Sequence, residues 1–185
     1  MNIEPIYFNT TNEKKFVEIS HLFQPGPRPL RQLSHSVVEI LDTDLERVVR
    51  AKALAAYRAV QRAVLVEHGG VFIDHISDLP GVMLKYMWDG LGSRVCEILP
   101  RDGPRRAMVR TALCFCDGKR RYVEVGEVSG RIAELPRGAS GLTWDTIFIP
   151  DNSEQTFAEM SLPDKMQSAP AAQAYRRLEL VLRSR

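Results

Sequence analysis

No stretch of this chain approaches the ~20 consecutive apolar residues that a helix needs to cross a bilayer, so no membrane span is expected. An excess of charge is also missing. The 25 Lys and Arg stand against 23 Asp and Glu, a formal net charge of +2 over 185 residues. No basic tract is long enough to argue for nucleic acid. The cluster Arg101, Arg105, Arg106, Arg110 is broken by Pro104 and reads as a solvated loop. Cysteine is scarce. Cys96, Cys114 and Cys116 are an odd number without framework spacing, which argues for reduced thiols and a cytoplasmic protein. Cys114 and Cys116 would share one face of a strand, but without two further ligands they read as core rather than a zinc site. Repeats, low-complexity blocks and acidic tails are absent. The opening MNIEPIYFNTTNEKK has no basic start followed by a hydrophobic segment, so no secretory signal is expected. What is present is the length of a single domain, residues 1–185, able to bury a sizeable core.

The stretch AVLVEHGGVFIDHISDLPGVMLK, residues 63–85, draws the eye. Val64, Leu65 and Val66 read as a buried strand, and Val71 to Ile73 resume one. Glu67, His68, Gly69 and Gly70 stand between them. An acid, an imidazole and two glycines between apolar strands suit a site; they equally suit the tip of a hairpin turn.

Taken in order, residues 3–9 read as a first strand. Asn12 is a good N-cap for a helix over 13–23, with Phe16, Ile19, Leu22 and Phe23 on one stripe. A strand running straight into a helix N-terminus suits an anion, and Lys15 adds charge in the first turn. The prolines of residues 25–29 make a surface connection. Residues 33–41, with Val37, Val38 and Ile40, suggest a strand ending near Glu39. Asp44 caps a helix over 45–61 whose stripe is Leu45, Val48, Val49, Ala53, Ala56 and Val60. Lys52 falls inside that stripe, where it either snorkels or aims at an anionic ligand. A turn at 78–81 precedes a short helix over 82–91 carrying Lys85. Residues 107–117 and 121–126 form an antiparallel pair joined at Asp117-Gly118. Residues 142–150 form a loop entering a short strand. Its Trp144 could stack on a ring and its Asp145 accept a hydrogen bond from one. A helix over 171–183 closes the chain. The pattern predicts an α/β fold, a mixed twisted sheet flanked by helices.

Collinear motifs give the chain a resemblance to the inosine/xanthosine triphosphate pyrophosphatase family, hydrolases of non-standard purine nucleotides. The family's T-x-N-x-x-K corresponds to Thr10, Asn12 and Lys15. Its Glu-Ile and lysine-bearing helix correspond to Glu39-Ile40 and Lys52. Its V-E-D-[ST]-G-L corresponds to Val66, Glu67, His68, Gly69, Gly70 and Val71. A phosphate-side lysine falls at Lys85. The F-G-[WY]-D-P-x-F-x-P loop corresponds to LTWDTIFIP with Trp144 and Asp145, and T-[FY]-A-E-M…K to residues 156–160 with Lys165. Two departures stand out. His68 replaces an acid, and Ala169, Pro170 and Ala171 replace the purine-reading S-H-R.

The resemblance implies two lobes about a nucleotide-binding cleft, and a homodimeric hydrolase of nucleotide metabolism, without nucleic-acid or membrane partners. It would release pyrophosphate from a nucleoside triphosphate and leave the monophosphate, here with altered base preference. It implies Mg²⁺, or Mn²⁺ or another divalent ion, on Glu39, Glu67 and His68. Lys52, Glu67 and His68 would be catalytic; Thr10, Asn12, Lys15, Lys85, Trp144, Asp145 and Lys165 would bind substrate. A neutral His68 imidazole could deprotonate water or take a softer metal. The replaced acid leaves open a non-hydrolytic nucleotide-binding protein, or another nucleotide-processing enzyme on the same fold.

Overall fold

The structure is a computed structural model that describes residues 5–24 and 28–183. Strand β1 (Ile6–Asn9) runs into helix α1 (Glu13–Leu22), and β2 (Leu30–Leu33) returns beside β1. Helix α2 (Leu45–Val60) leads to β3 (Val64–Ile73), the short β4 (Leu79–Gly81), α3 (Leu84–Leu91) and α4 (Val95–Ile98). The long pair β5 (Arg106–Cys116) and β6 (Arg121–Ile132) is followed by β7 (Phe148–Pro150), α5 (Leu162–Ser168) and α6 (Pro170–Arg183). One seven-stranded sheet has the order β2-β1-β3-β5-β6-β7, with β4 on the far part of β3. The β1–β2 and β1–β3 pairings are parallel and the others antiparallel. The expected mixed α/β sheet flanked by helices is therefore present.

Helices cover both faces. On one, Ile19 of α1, its capping residue Phe23, and Ala174, Tyr175 and Leu178 of α6 pack on Phe8, Leu65, Leu113 and Phe115. On the other, Val48, Val49, Ala53 and Ala56 of α2 pack on Val64, Val66, Ala112 and Cys114. Each fully buried valine or leucine in these layers contributes roughly 1.5–3 kcal/mol. Asp44 starts α2 by accepting the N–H groups of Glu46 and Arg47 at 2.9 and 3.1 Å, and Gln61 ends it in a left-handed conformation.

Two expectations change. The strand anticipated over 33–41 is not there: β2 ends at Leu33 and residues 34–44 are irregular. The Asn9 side chain takes over the next backbone pairing. Its Nδ2 donates to the His35 carbonyl at 2.9 Å, and its Oδ1 accepts the His35 N–H at 3.0 Å. Beyond that point Val38 is 91% exposed, so its β-branched side chain has no sheet face to fill. Nor is there a turn at Gly69-Gly70. β3 runs unbroken past them, paired residue for residue with β5, including Gly69 with Thr111 and Gly70 with Arg110. Gly70 serves close approach instead: a Cβ there would lie 2.3 Å from the Gly81 carbonyl oxygen on β4. Of the early motifs, Ile3 and residues 25–27 lie outside the described residues.

Candidate active site

Strand parity distributes the central residues. Side chains alternate along β3, with Val64 and Val66 against α2 and Leu65 against α1 and α6. Continuing the alternation puts Glu67 with α1 and His68 with α2, and their partners agree. Glu67 Oε2 lies 2.5 Å from Lys15 Nζ on α1. His68 Nδ1 lies 3.0 Å from Glu39 Oε2, and Glu39 Oε1 lies 2.9 Å from Lys52 Nζ on α2. The irregular segment after β2 brings Glu39 to this face. At the start of α1, Asn12 Oδ1 accepts the Lys15 N–H at 3.2 Å, and Thr10 Oγ1 accepts the Asn12 N–H at 3.2 Å. The other N–H groups of this first turn have no intrahelical partner.

Thr10, Asn12, Lys15, Glu39, Lys52 and His68 line one cleft of ≈ 590 Å³, which Trp144, Trp88 and Lys85 also border. That volume suits a small-molecule ligand. Lys85 sits at the exposed end of the range, 72% accessible and 3.0 Å from Asp89. Its ammonium is held above its ordinary value by the hydrogen bond and charge of Asp89.

Charge is closely balanced. Burial alone would raise the Glu67 carboxyl, but Lys15 outweighs it and the net shift is downward. Burial likewise opposes the Lys15 ammonium, and Glu67 reverses that to a net rise. Glu39 is lowered to about 2, chiefly by the hydrogen bond from His68, against burial and with help from Lys52. His68 Nε2 lies 3.1 Å from the Val82 carbonyl, which can only accept. An ionised Glu39 can also only accept. His68 thus bridges Glu39 to the β4–α3 junction.

Beside the cleft lies a void of about 20 Å³, lined by Lys15, Glu18, Glu67, Thr111 and Lys165 and by apolar Ile19, Leu142, Trp144, Ala169, Pro170 and Ala171. Lys165 is only 4% exposed; its Nζ bonds Glu18 Oε1 and Asp145 Oδ2, each at 2.5 Å. Asp145, fully buried, also accepts the Leu142 N–H. One ammonium thus serves two carboxyl groups. Burial raises Glu18 to about 7, against Lys165 and with the charge of Asp145. Asp145 is raised for the same reason, with Lys165 again opposing. Trp144 meets Phe157 edge-on at 6.4 Å between centroids, and Lys165 Nζ lies 5.9 Å from the indole centroid.

The sequence-predicted residues thus divide. Thr10, Asn12, Lys15, Glu39, Lys52, His68 and Trp144 share one cleft, with Lys85 at its border. Lys165, expected among the phosphate-facing cations, instead holds an interior cluster with Asp145. Of the anticipated metal trio, His68 pairs with Glu39, whereas Glu67 pairs with Lys15. His68, expected as a base or metal ligand, lies within reach of Glu39 on one ring nitrogen and of the Val82 carbonyl on the other. Among the described residues, no group of three or more His, Cys, Asp or Glu is arranged to hold a metal ion. Both Glu39 oxygens are already paired, Oε1 with Lys52 and Oε2 with His68, so this set offers a resident divalent ion no free Glu39 oxygen. Sequence reasoning missed Glu18 and Asn9. Glu18 was readable as an acid three residues after Lys15 and beside Ile19, on the inward side of α1. Asn9 carried no such signal.

Comparisons with known proteins bear on this arrangement. The family model described as "Ham1 family" matches residues 6–180. A dITP/XTP pyrophosphatase of Saccharolobus solfataricus is 34% identical over 176 residues, 95% of this chain and 92% of that protein. One from Hyperthermus butylicus is 33% identical over 179 residues, 96% and 94% of the two chains. Among solved structures, a HAM1 protein from Coxiella burnetii superposes with a TM-score of 0.79 over 99% of this chain and 100% of that one, at 23% identity. The Ham1 protein of Staphylococcus aureus gives 0.73 over 98% and 99%, at 20% identity. At those identities the two structures speak for the fold. The motif resemblance read from the sequence is borne out by the family match and the curated relatives together: the chain belongs to the Ham1 family.

Proposed function

We propose that the chain is a nucleoside triphosphate pyrophosphohydrolase, releasing pyrophosphate and a nucleoside monophosphate, with altered base preference. One observation carries the reading: in a Ham1-family chain, Lys15, Lys52 and the Asn12-capped helix start line one cleft that Trp144 borders. Relatives named dITP/XTP pyrophosphatases support it. Water attacks the α-phosphorus, the bond to the pyrophosphate oxygen breaks, and charge develops on the leaving group. Such a step needs positioning and counter-charge more than covalent chemistry. Lys15, Lys52, Thr10, Asn12 and the first turn of α1 hold the phosphates, with Lys85 entering from the border. Trp144 stacks on the base, and the Lys165–Asp145 pair braces the loop that carries it. Glu67, kept ionised by Lys15 in the void beside the cleft, takes the proton of the attacking water. His68 has no free nitrogen for that task; it fixes Glu39.

Ham1-family pyrophosphatases are generally divalent-metal dependent, and Mg²⁺ or Mn²⁺ is the ion the resemblance implies. The fixed pairs of Glu39 give such an ion no ready protein ligand set, so the step above uses only the chain's own groups. Residues 1–185 are read as one nucleotide pyrophosphatase domain, forming a homodimer in the cytoplasm without nucleic-acid or membrane partners. Family membership, buried free cysteines and a net charge of +2 support that. Among the described residues no helix is long and apolar enough to cross a membrane.

A binding-only reading draws on one observation, the engagement of both His68 nitrogens where the family pattern has an acid. Pyrophosphate release from a nucleotide panel, run beside thermal shifts with the same panel, separates the two. Release supports hydrolysis; shifts without release support binding alone; neither response overturns both.

A further inference from the structure

Helix α3 lines the cleft with Leu84, Lys85, Tyr86, Trp88 and Asp89. At about 100° per residue, Lys85 and Asp89 stand in the middle of that face, with Leu84 and Trp88 on one flank and Tyr86 on the other. Leu84 is buried and anchors the helix, and Trp88 is half-buried against the same core layer. Tyr86 is 57% exposed, and Lys85 Nζ lies 5.5 Å from its ring centroid. Two aromatic rings therefore flank the cation that α3 brings to the cleft.

That cation is already matched. Lys85 lies 3.0 Å from Asp89, so α3 offers a phosphate one positive and one negative group. A terminal phosphate carries a charge of about −1.5 to −2 at pH 7, and Asp89 stands against it. A phosphate substituted on both sides carries less charge and meets less opposition. Rings beside a matched pair suit a ligand that ends in a planar group rather than in a free phosphate. The cleft thus has aromatic surfaces on two separate elements: Trp144 on the loop before β7, and Trp88 with Tyr86 on α3. Lys15 and Lys52 line the same space. Stacking on such surfaces asks for no donor or acceptor pattern, because every base has a π-face.

We propose that the cleft takes dinucleoside polyphosphates as substrates, with one base on Trp144, the phosphate chain on Lys15 and Lys52, and the second base on Trp88 and Tyr86. The inference rests on the nucleotide reading of the cleft and extends its substrate class. The bond chemistry is unchanged. Water attacks the phosphorus beside the first nucleoside, its oxygen forms the new P–O bond, and its proton goes to Glu67. The bond from that phosphorus to the bridging oxygen breaks, and its electron pair leaves on the second nucleoside's phosphate chain. Diadenosine tetraphosphate and water thus give adenosine monophosphate and adenosine triphosphate, with no other reactant.

The test sets diadenosine tetraphosphate beside adenosine triphosphate on the full chain with Mg²⁺ present, reading affinity by titration calorimetry and products by chromatography at initial rates. The expected result is binding of the dinucleotide at least about fivefold tighter than the triphosphate, with cleavage to the mono- and triphosphate. Trp88→Ala should weaken dinucleotide binding by about fivefold to a hundredfold and leave the triphosphate within about threefold. Trp88→Phe, which keeps a ring, should recover most of the loss. Tyr86→Ala should act in the same direction; its side chain is exposed, so it carries the test if Trp88→Ala lowers the thermal midpoint. Dinucleotide bound no tighter than triphosphate overturns the inference, as does a dinucleotide left intact while the triphosphate is hydrolysed. Equal losses for both ligands in the folded variants overturn it too, since Trp88 and Tyr86 would then only hold α3 in place. Each of these leaves the nucleotide reading standing. No binding of either ligand overturns that reading and the inference with it.

Discussion

Lys165 supports two carboxyl groups with one ammonium, and that arithmetic governs Glu18. Burial raises Glu18 from 4.5 to about 7, although Lys165 lies 2.5 Å away. A carboxyl whose folded value is raised contributes stability fully present below its unfolded value and lost as pH rises through its folded one. The window here is about pH 4.5 to 7, worth roughly 3 kcal/mol at about 1.4 kcal/mol per pH unit. Glu18→Gln removes that titration and leaves Lys165 matched one to one with Asp145. Urea denaturation at pH 5 and pH 8 should show the wild type losing stability relative to the variant as pH rises. A difference that stays constant would mean that Glu18 is ionised throughout. In the cleft itself, Lys52 and Lys85 differ in setting. Lys52 is 14% exposed and paired inside the site, whereas Lys85 is 72% exposed. Lys52→Ala should weaken nucleotide binding by about tenfold to a hundredfold, the range for a charge-assisted hydrogen bond. Lys85→Ala should cost distinctly less, because an exposed pair is worth little. Titration calorimetry with both variants reads the contrast directly.

The elements that hold these residues were legible to unequal degrees, for reasons that lie in the chemistry of particular side chains. Helices α1 and α2 announced themselves through Asn12, Asp44 and stripes at helical spacing, because caps and periodicity are local. The lysine inside the α2 stripe pointed correctly to the cleft. The β2 segment was misplaced because Asn9 and His35 meet across 26 positions of sequence, which no local pattern encodes. In β3 the two glycines looked like a turn, and that hid the parity separating Glu67 from His68. Once β3 is continuous, alternation alone sends the two side chains to opposite faces. Gly70 is what allows the continuity beside β4, and this gives a test. Gly70→Ala would place a methyl 2.3 Å from the Gly81 carbonyl and 3.0 Å from Val82 N, so β4 must shift. Overpacking of this kind costs about 1–3 kcal/mol. The same shift would move the Val82 carbonyl away from His68, so the thermal midpoint and nucleotide affinity should fall together. A fall in the midpoint with unchanged affinity would separate β4 from the site.

For the molecule as a whole, the proposed phosphate side and base side of the site differ in the side chains they present. Lys15, Lys52, Thr10 and Asn12 match the family pattern and meet in one cleft. Ala169, Pro170 and Ala171, where the family resemblance leads one to expect a purine-reading S-H-R, line the adjoining void and bring no side-chain donor or acceptor. A site that hydrogen-bonds a substrate group can reject an analogue lacking it by 10⁴–10⁵, because its own buried polar groups are left unpaired; a site lined by apolar groups has no such lever. The polar groups that remain there are committed to one another, Lys165 to Glu18 and Asp145. Trp144 still offers a stacking face, and every base has a π-face to meet it. Affinity from stacking and phosphate contacts is shared by all nucleotides, so discrimination among them should be shallow. Measured kcat/KM for inosine, xanthosine, adenosine, guanosine and cytidine triphosphates should therefore lie within about a hundredfold, the reach of pocket shape alone. Trp144→Ala should lower all of them in parallel, by about 1–3 kcal/mol. Inosine or xanthosine triphosphate ahead of the others by about 10⁴ would show that Lys165 and Glu18 open to read the base; a shallow profile would show that phosphate contacts and stacking on Trp144 carry recognition without a base-specific hydrogen bond.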